Sequence, residues 1–135
     1  MNIDELPFKI GMQYENWEFD LDIIETEKYD KYRYNKNDLH ILLGLAIQDV
    51  FLTFDLDILF RIEITLEPNE NLNQLKKSLN EVFVKHGLEV ANCKTNSSDS
   101  KSEFNITWRD GKNILILIND IKTNSLNLYI NNEKY

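Results

Sequence analysis

Apolar and polar residues alternate most strictly from Ile58 to Leu66. Ile58, Phe60, Ile62, Ile64 and Leu66 fall on one side of an extended chain, and Leu59, Arg61, Glu63 and Thr65 on the other. That is the period of a strand with one buried face. Asp49–Phe54 reads as a second strand, and the short Asp55-Leu56-Asp57 between them suits a hairpin loop. Tyr29–Tyr34 alternates and is aromatic, so it reads as another strand. In the second half Phe104, Ile106 and Trp108 alternate with Asn105, Thr107 and Arg109, and Asp110-Gly111 reads as a hairpin turn. Ile114–Ile118 is wholly apolar and reads as a central strand covered on both faces. Leu126, Leu128 and Ile130 close the pattern, with Tyr129 opposite.

Helical spacing appears twice. Leu72, Leu75, Leu79, Val82 and Phe83 predict an amphipathic helix starting after Pro68 and ending at Gly87. Segment 12–25 carries both periods. Trp17, Phe19, Leu21 and Ile23 alternate as in a strand, while Tyr14, Trp17, Leu21 and Ile24 share one helical face. The balance favours helix, because β-branched residues are missing before Ile23. Asp38 is placed to cap a short helical turn at 39–43. Residues 91–102 are polar and read as a mobile loop.

The expected architecture is one α+β domain over 1–135, in the order helix, three strands, helix, three strands. Two helices would pack on one face of an antiparallel sheet. The layout repeats over about 8–66 and 69–131 without residue identity.

Charge sharpens the picture. The formal net charge is −8, with about −10 on residues 1–70 and +2 on the rest. An acidic chain is unsuited to phosphate backbones, so nucleic acid is not expected as a partner. Glu15, Glu18, Asp20, Asp22, Glu25, Glu27 and Asp30 form an acidic stretch offset only by Lys28. Such a stretch solubilises a surface or docks a basic partner. Asp55, Asp57, Arg61 and Glu63 extend it as candidate contacts, and Tyr32, Tyr34, Trp108, Arg109 and Tyr129 are candidate anchors if they share a face.

Chemistry is sparse. His40 and His86 lie far apart, and Cys93 has only Lys94 beside it. Neither arrangement makes a nucleophile with a base in reach. Asp55 and Asp57 are too few for a metal site, and no phosphate loop or other cofactor motif occurs. No catalytic residue, metal or cofactor is therefore expected. The acidic N-terminus has no signal-like apolar run, and the longest apolar stretch is too short for a span, so a cytoplasmic protein without a membrane partner is expected.

Gly11-Met12, Trp17 and Leu21, followed by Tyr32-Arg33-Tyr34 and the hairpin Leu52–Ile62, resemble the β-lactamase inhibitor protein-like fold and related outer-membrane assembly lipoproteins. That resemblance covers 8–66 and implies a short helix opened by Gly-Met and docked on the sheet. The lipoprotein signal and anchoring cysteine are missing from this sequence. The whole also resembles small acidic immunity proteins of bacterial toxin systems, which implies a non-enzymatic protein that blocks a basic cognate toxin. The alternative is a scaffold or envelope-linked module that joins a complex or pairs with a second copy as a homodimer.

Overall fold

The strongest strand in the sequence lies at the middle of the fold. In a computed structural model, β5 (Ile58–Leu66) is flanked by β4 (Leu45–Asp55) and β9 (Ser125–Asn132), both antiparallel to it. The structure describes residues 5–16, 20–42, 45–67, 77, 81, 89–96, 103–120 and 125–135. Their remaining strands are β1 (Leu21–Glu25), β2 (Asp30–Tyr34), β3 (Ile41–Leu42), β6 (Glu89–Asn96), β7 (Glu103–Asp110) and β8 (Asn113–Asp120). The sheet order is β1-β2-β4-β5-β9-β8-β7-β6, with β3 paired to β4 off that path.

Two meanders thus meet at their last strands. The first enters at one edge and reaches the centre at β5; the second enters at the far edge and reaches the centre at β9. The connection from Leu66 to Glu89 must bridge four strand spacings, about 19 Å.

Strand alternation places the core on one face. Leu52, Ile62, Ile64, Leu66, Leu117, Leu126 and Leu128 are buried there in one cluster with Trp108. Register explains it: Leu52 lies opposite Ile62, Ile64 opposite Leu128, and Leu115 opposite both Ile130 and Trp108. Leu6, Phe8, Ile10 and Tyr14 pack onto the same cluster from the N-terminal segment. Phe8 meets Tyr34 edge-on at 4.8 Å, and Tyr14 stacks on Tyr32 at 4.9 Å. Aromatic pairs of this geometry add about 0.5–1.5 kcal/mol beyond their burial.

Several expectations are corrected. The fold is an antiparallel sheet, not α+β with two helices on one face; among the described residues only Lys77 and Glu81 have α-helical backbone, and they form no described element. The first helix fails for a tertiary reason. Among its described residues, segment 12–25 shows 3-10 backbone at Tyr14–Asn16 and Asp20 before β1, and no α-helix. As a strand, Leu21 lands opposite Tyr34 in the core and Asp22 opposite Arg33, a pairing that a helix would forfeit. Gly11-Met12 opens no helix either. Gly11, at φ +98°, turns the chain so that its N–H donates to the Leu59 carbonyl, and the Leu59 N–H donates to the Met12 carbonyl, both at 2.8 Å. An irregular segment thus covers the core where a helix was expected.

The second helix, expected from after Pro68 to Gly87, lies outside the described residues apart from Lys77 and Glu81, both exposed and both of helical backbone. Asp38 caps no turn of helix; it accepts the Tyr34 hydroxyl at 2.8 Å, and Ile41–Leu42 is β3. The stretch expected as a loop from 91 is strand as far as Asn96, paired to β7. Residues 97–102 and His86 lie outside the described residues. The β7–β8 turn is Gly111-Lys112, one residue later than expected, with Asp110 paired to Asn113 and Gly111 at φ +58°.

Strand β5 departs from strict alternation. The register slips between Thr53 and Phe54, so that Leu59 faces Phe54 and Arg61 faces Thr53. Phe60 is the extra residue of a bulge. Leu59 therefore joins the core, and Phe60 packs outside it against Tyr29 and Tyr135. Strand β8 is central as expected, but only one of its faces is fully covered; Ile114, Ile116 and Ile118 remain half-buried on the other. No helix among the described residues is long and apolar enough to cross a membrane.

Burial, and then the hydrogen bond to Asp38, push the Tyr34 phenol well above its ordinary value of 10. The neutral phenol is the folded form. Its contribution to stability is intact below pH about 10 and is lost as pH rises beyond that. Chemical denaturation from pH 8 to 12 should show wild type losing stability above pH 10 more steeply than Tyr34→Phe, which lacks that ionisation. Parallel curves would contradict the assignment.

Candidate interaction face and hairpin end

The second face of the sheet collects what the core rejects. Register sets Lys31, Thr53, Arg61, Asn131, Ile114 and Arg109 in one row across β2, β4, β5, β9, β8 and β7. The next row runs Arg33, Phe51, Glu63, Tyr129, Ile116 and Thr107. Most of these are half-buried.

The ionic contacts on this face balance. Lys31 Nζ lies 3.2 Å from Glu63 Oε2 and 5.0 Å above the Phe51 ring. Arg33 pairs with Asp49, and Arg109 with Glu133. The more exposed pairs, Arg33–Asp49 and Arg109–Glu133, contribute about 0.2–1 kcal/mol each, so they organise the face more than they stabilise it. Arg61 differs. Its Nε–H donates to Asn131 Oδ1 at 3.1 Å and its guanidinium lies 5.4 Å from the Phe60 ring centroid, with no acidic partner among the described residues. Beside it, Thr53 is 4% exposed, and its hydroxyl has no hydrogen-bond partner.

One end of the sheet is built differently. Leu56 and Asp57 form the two-residue β4–β5 turn at φ +49° and +66°. Positive φ at both positions is the conformation that Asn-Gly adopts most readily and leucine does not. Leu56 is 90% exposed, and neighbouring Ile58 is also exposed. The Tyr14 N–H donates to the Asp57 carbonyl at 2.8 Å, which brings exposed Glu15 to the turn. Asp30 sits opposite Phe54, so it and exposed Glu27 in the preceding loop lie at the same end. Tyr135 stacks on Phe60 at 4.0 Å, and its hydroxyl donates to Asp55. That bond is the first cause raising the Tyr135 phenol above its ordinary value.

The sequence-derived candidates therefore separate. Glu15, Asp55 and Asp57 gather at the hairpin end. Asp20 and Asp22 lie at the opposite end of β1, about 13 Å away by strand rise, where Asp22 Oδ1 accepts Asn35 Nδ2–H at 2.9 Å. Glu18 lies outside the described residues. Arg61 and Glu63 are central on the second face, and Arg109 shares it. Trp108 does not: it is wholly buried in the core, on the reverse of β7 from Arg109. The expected aromatic patch divides the same way, with Tyr32 and Tyr34 on the core face and Tyr129 on the other. His40 is exposed, and its carbonyl accepts the Ile47 N–H at 2.7 Å. No three side chains of metal-binding type converge among the described residues.

Sequence reasoning missed Leu56, Thr53, Phe60 and Tyr135. Leu56 was legible in part, because leucine stands between two aspartates where a hairpin loop wants Asn or Gly. The other three depend on the bulge and on a contact between Asp55 and Tyr135, far apart in the chain.

No protein-family model matches the chain, and no curated protein or solved structure matches it.

Turn strain gives a direct test. Replacing Leu56→Asn together with Asp57→Gly should raise unfolding stability by about 1–2 kcal/mol, because both positions then tolerate positive φ. Urea unfolding of the two proteins measures this. A fall in stability would mean that the Leu56 side chain supports the fold.

Proposed function

We propose that this chain is a non-enzymatic binding protein, an immunity protein that occludes the cleft of a basic cognate toxin domain. The gathering of Glu15, Glu27, Asp30, Asp55 and Asp57 around exposed Leu56 carries it. Acids on an exposed rim raise association rates with a basic partner, and a desolvated apolar tip slows dissociation. A strained turn presenting leucine to water gains nothing for the fold, whereas the same turn inserted into an apolar depression rimmed by Lys or Arg buries it. The contact residues are then the hairpin end, with Arg61 and Glu63 behind it, in place of the whole acidic stretch from 15 to 30. Occlusion needs no metal, cofactor or nucleophile. The cytoplasm, where such a protein would guard its own cell, is the compartment proposed.

A self-associating scaffold is the second reading. Edge strand β1 favours it, since Ile23 and Ile24 are 60% and 54% exposed beside a strand edge that no other described strand pairs with.

The test begins with capture from source-cell lysate at low salt and stepwise elution with salt. The partner so identified is then measured against Glu15→Lys, Asp30→Lys and Asp57→Lys combined. Association should slow by about 10-fold or more at low salt and lose most of its salt dependence. Asp20→Lys with Asp22→Lys should have a smaller effect. An unchanged association rate removes the hairpin end as the docking site, and recovery of the chain alone moves the assignment to the scaffold.

A further inference from the structure

A buried hydroxyl without a partner beside a cation without an acid is an unusual pairing. Buried polar side chains are nearly always hydrogen-bonded, and each exception calls for a cause. Thr53 and Arg61 are direct cross-strand neighbours on the second face, with Lys31 on the far side of Thr53 and Asn131 on the far side of Arg61. Neighbouring positions in such a row stand about 5 Å apart. Thr53 has no hydrogen-bond partner for Oγ1. Arg61 commits Nε to Asn131 and leaves both terminal nitrogens unpaired among the described residues.

From this row we infer a binding site for a single carboxylate group. The two terminal nitrogens of Arg61 form a planar fork that matches the two oxygens of a carboxylate. The Thr53 hydroxyl supplies a third donor from below, and Lys31 Nζ, shared with Glu63, supplies a fourth from the side. Lys31 and Arg61 are both partly exposed and long, and the site requires them to swing so that a ligand reaches the Thr53 hydroxyl between them. Charge selects the ligand class. Lys31 and Glu63 offset each other, and Asp55 lies two residues along β4 from Thr53, held by Tyr135. Among the described residues of this row Arg61 is the one cation without an acid, which suits a monoanion; a phosphate dianion would be repelled more strongly by the nearby Asp55 and Glu63 carboxylates. This site shares Arg61 and Glu63 with the surface behind the hairpin end but does not rest on the occlusion proposed above, whose test reads Glu15, Asp30 and Asp57.

The test is an NMR titration of the full chain with sodium acetate at constant ionic strength. The Arg61 Nε–H, Thr53 amide and Asn131 side-chain signals are followed, with inorganic phosphate and chloride titrated in parallel. Saturable shifts confined to this row are expected, with a dissociation constant in the millimolar range, as suits a ligand of four heavy atoms. Arg61→Gln should weaken binding by about 10-fold or more. Arg61→Lys, which keeps the charge without the fork, should weaken it nearly as much. Thr53→Val should weaken it several-fold while raising the melting temperature by a few degrees, since a buried orphan hydroxyl is removed. Shifts that grow linearly without saturating, equal binding by the folded Arg61 variants, or tighter binding of phosphate than of acetate would each overturn the site. A lower melting temperature for Thr53→Val would show that its hydroxyl serves the fold.

Discussion

The β5–β9 seam is the interaction on which everything else depends. Ile62, Ile64 and Leu66 lie opposite Ile130, Leu128 and Leu126, across about half the length of the chain. Neither meander can bury its final strand alone, since a sheet edge leaves one row of backbone donors and acceptors unpaired. Joining the two at their last strands removes both inner edges and merges two half-cores into one cluster. The cost is loop closure between distant segments, which must be met before those contacts form.

Once that seam is set, strand parity does the rest. Away from the bulge, a strand residue one position from a core residue is turned to the second face, so the register that aligns Ile64 with Leu128 also aligns Arg61 with Asn131 and Glu63 with Tyr129. The second face is therefore a by-product of core packing in its geometry and a separate feature in its composition. Its cations and acids are mostly spent on one another, whereas the chain as a whole carries −8. The surplus of negative charge lies elsewhere, part of it at the hairpin end. Two surfaces of different electrostatic character thus arise from one sheet.

The bulge at Phe60 links them. By inserting one residue, it sends Leu59 into the core and frees Phe60 to stack with Tyr135, which in turn holds Asp55 beside the turn. Tyr14 ties the other side of the same turn through the Asp57 carbonyl. A strained Leu56-Asp57 pair is thereby clamped from both flanks, which is how a positive-φ leucine persists. Strain of this kind is retained where the surroundings over-determine it, and here those surroundings are aromatic and hydrogen-bonded contacts that leave the leucine itself in water.

What the sequence by itself determined is local. The two-residue period of Ile58–Leu66, the alternation of Phe104–Arg109 and Leu126–Ile130, and the apolar run Ile114–Ile118 each mark a strand, because the period of a strand is written in its own residues. The acidic first half and the short loop at 55–57 were legible for the same reason. Only the tertiary structure decided the rest. Segment 12–25 carries two periods at once, and the choice fell to strand where β2 offered Tyr34 a partner in Leu21. The polar residues 91–96 became an edge strand because β7 supplied the pairing that their own side chains do not advertise. Trp108 and Arg109, adjacent in sequence, were sent to opposite faces, and Thr53 met Arg61, by a register set at the seam and shifted at the bulge. Pairing free energy is shared between segments, so no single segment can state which of its possible partners it will have.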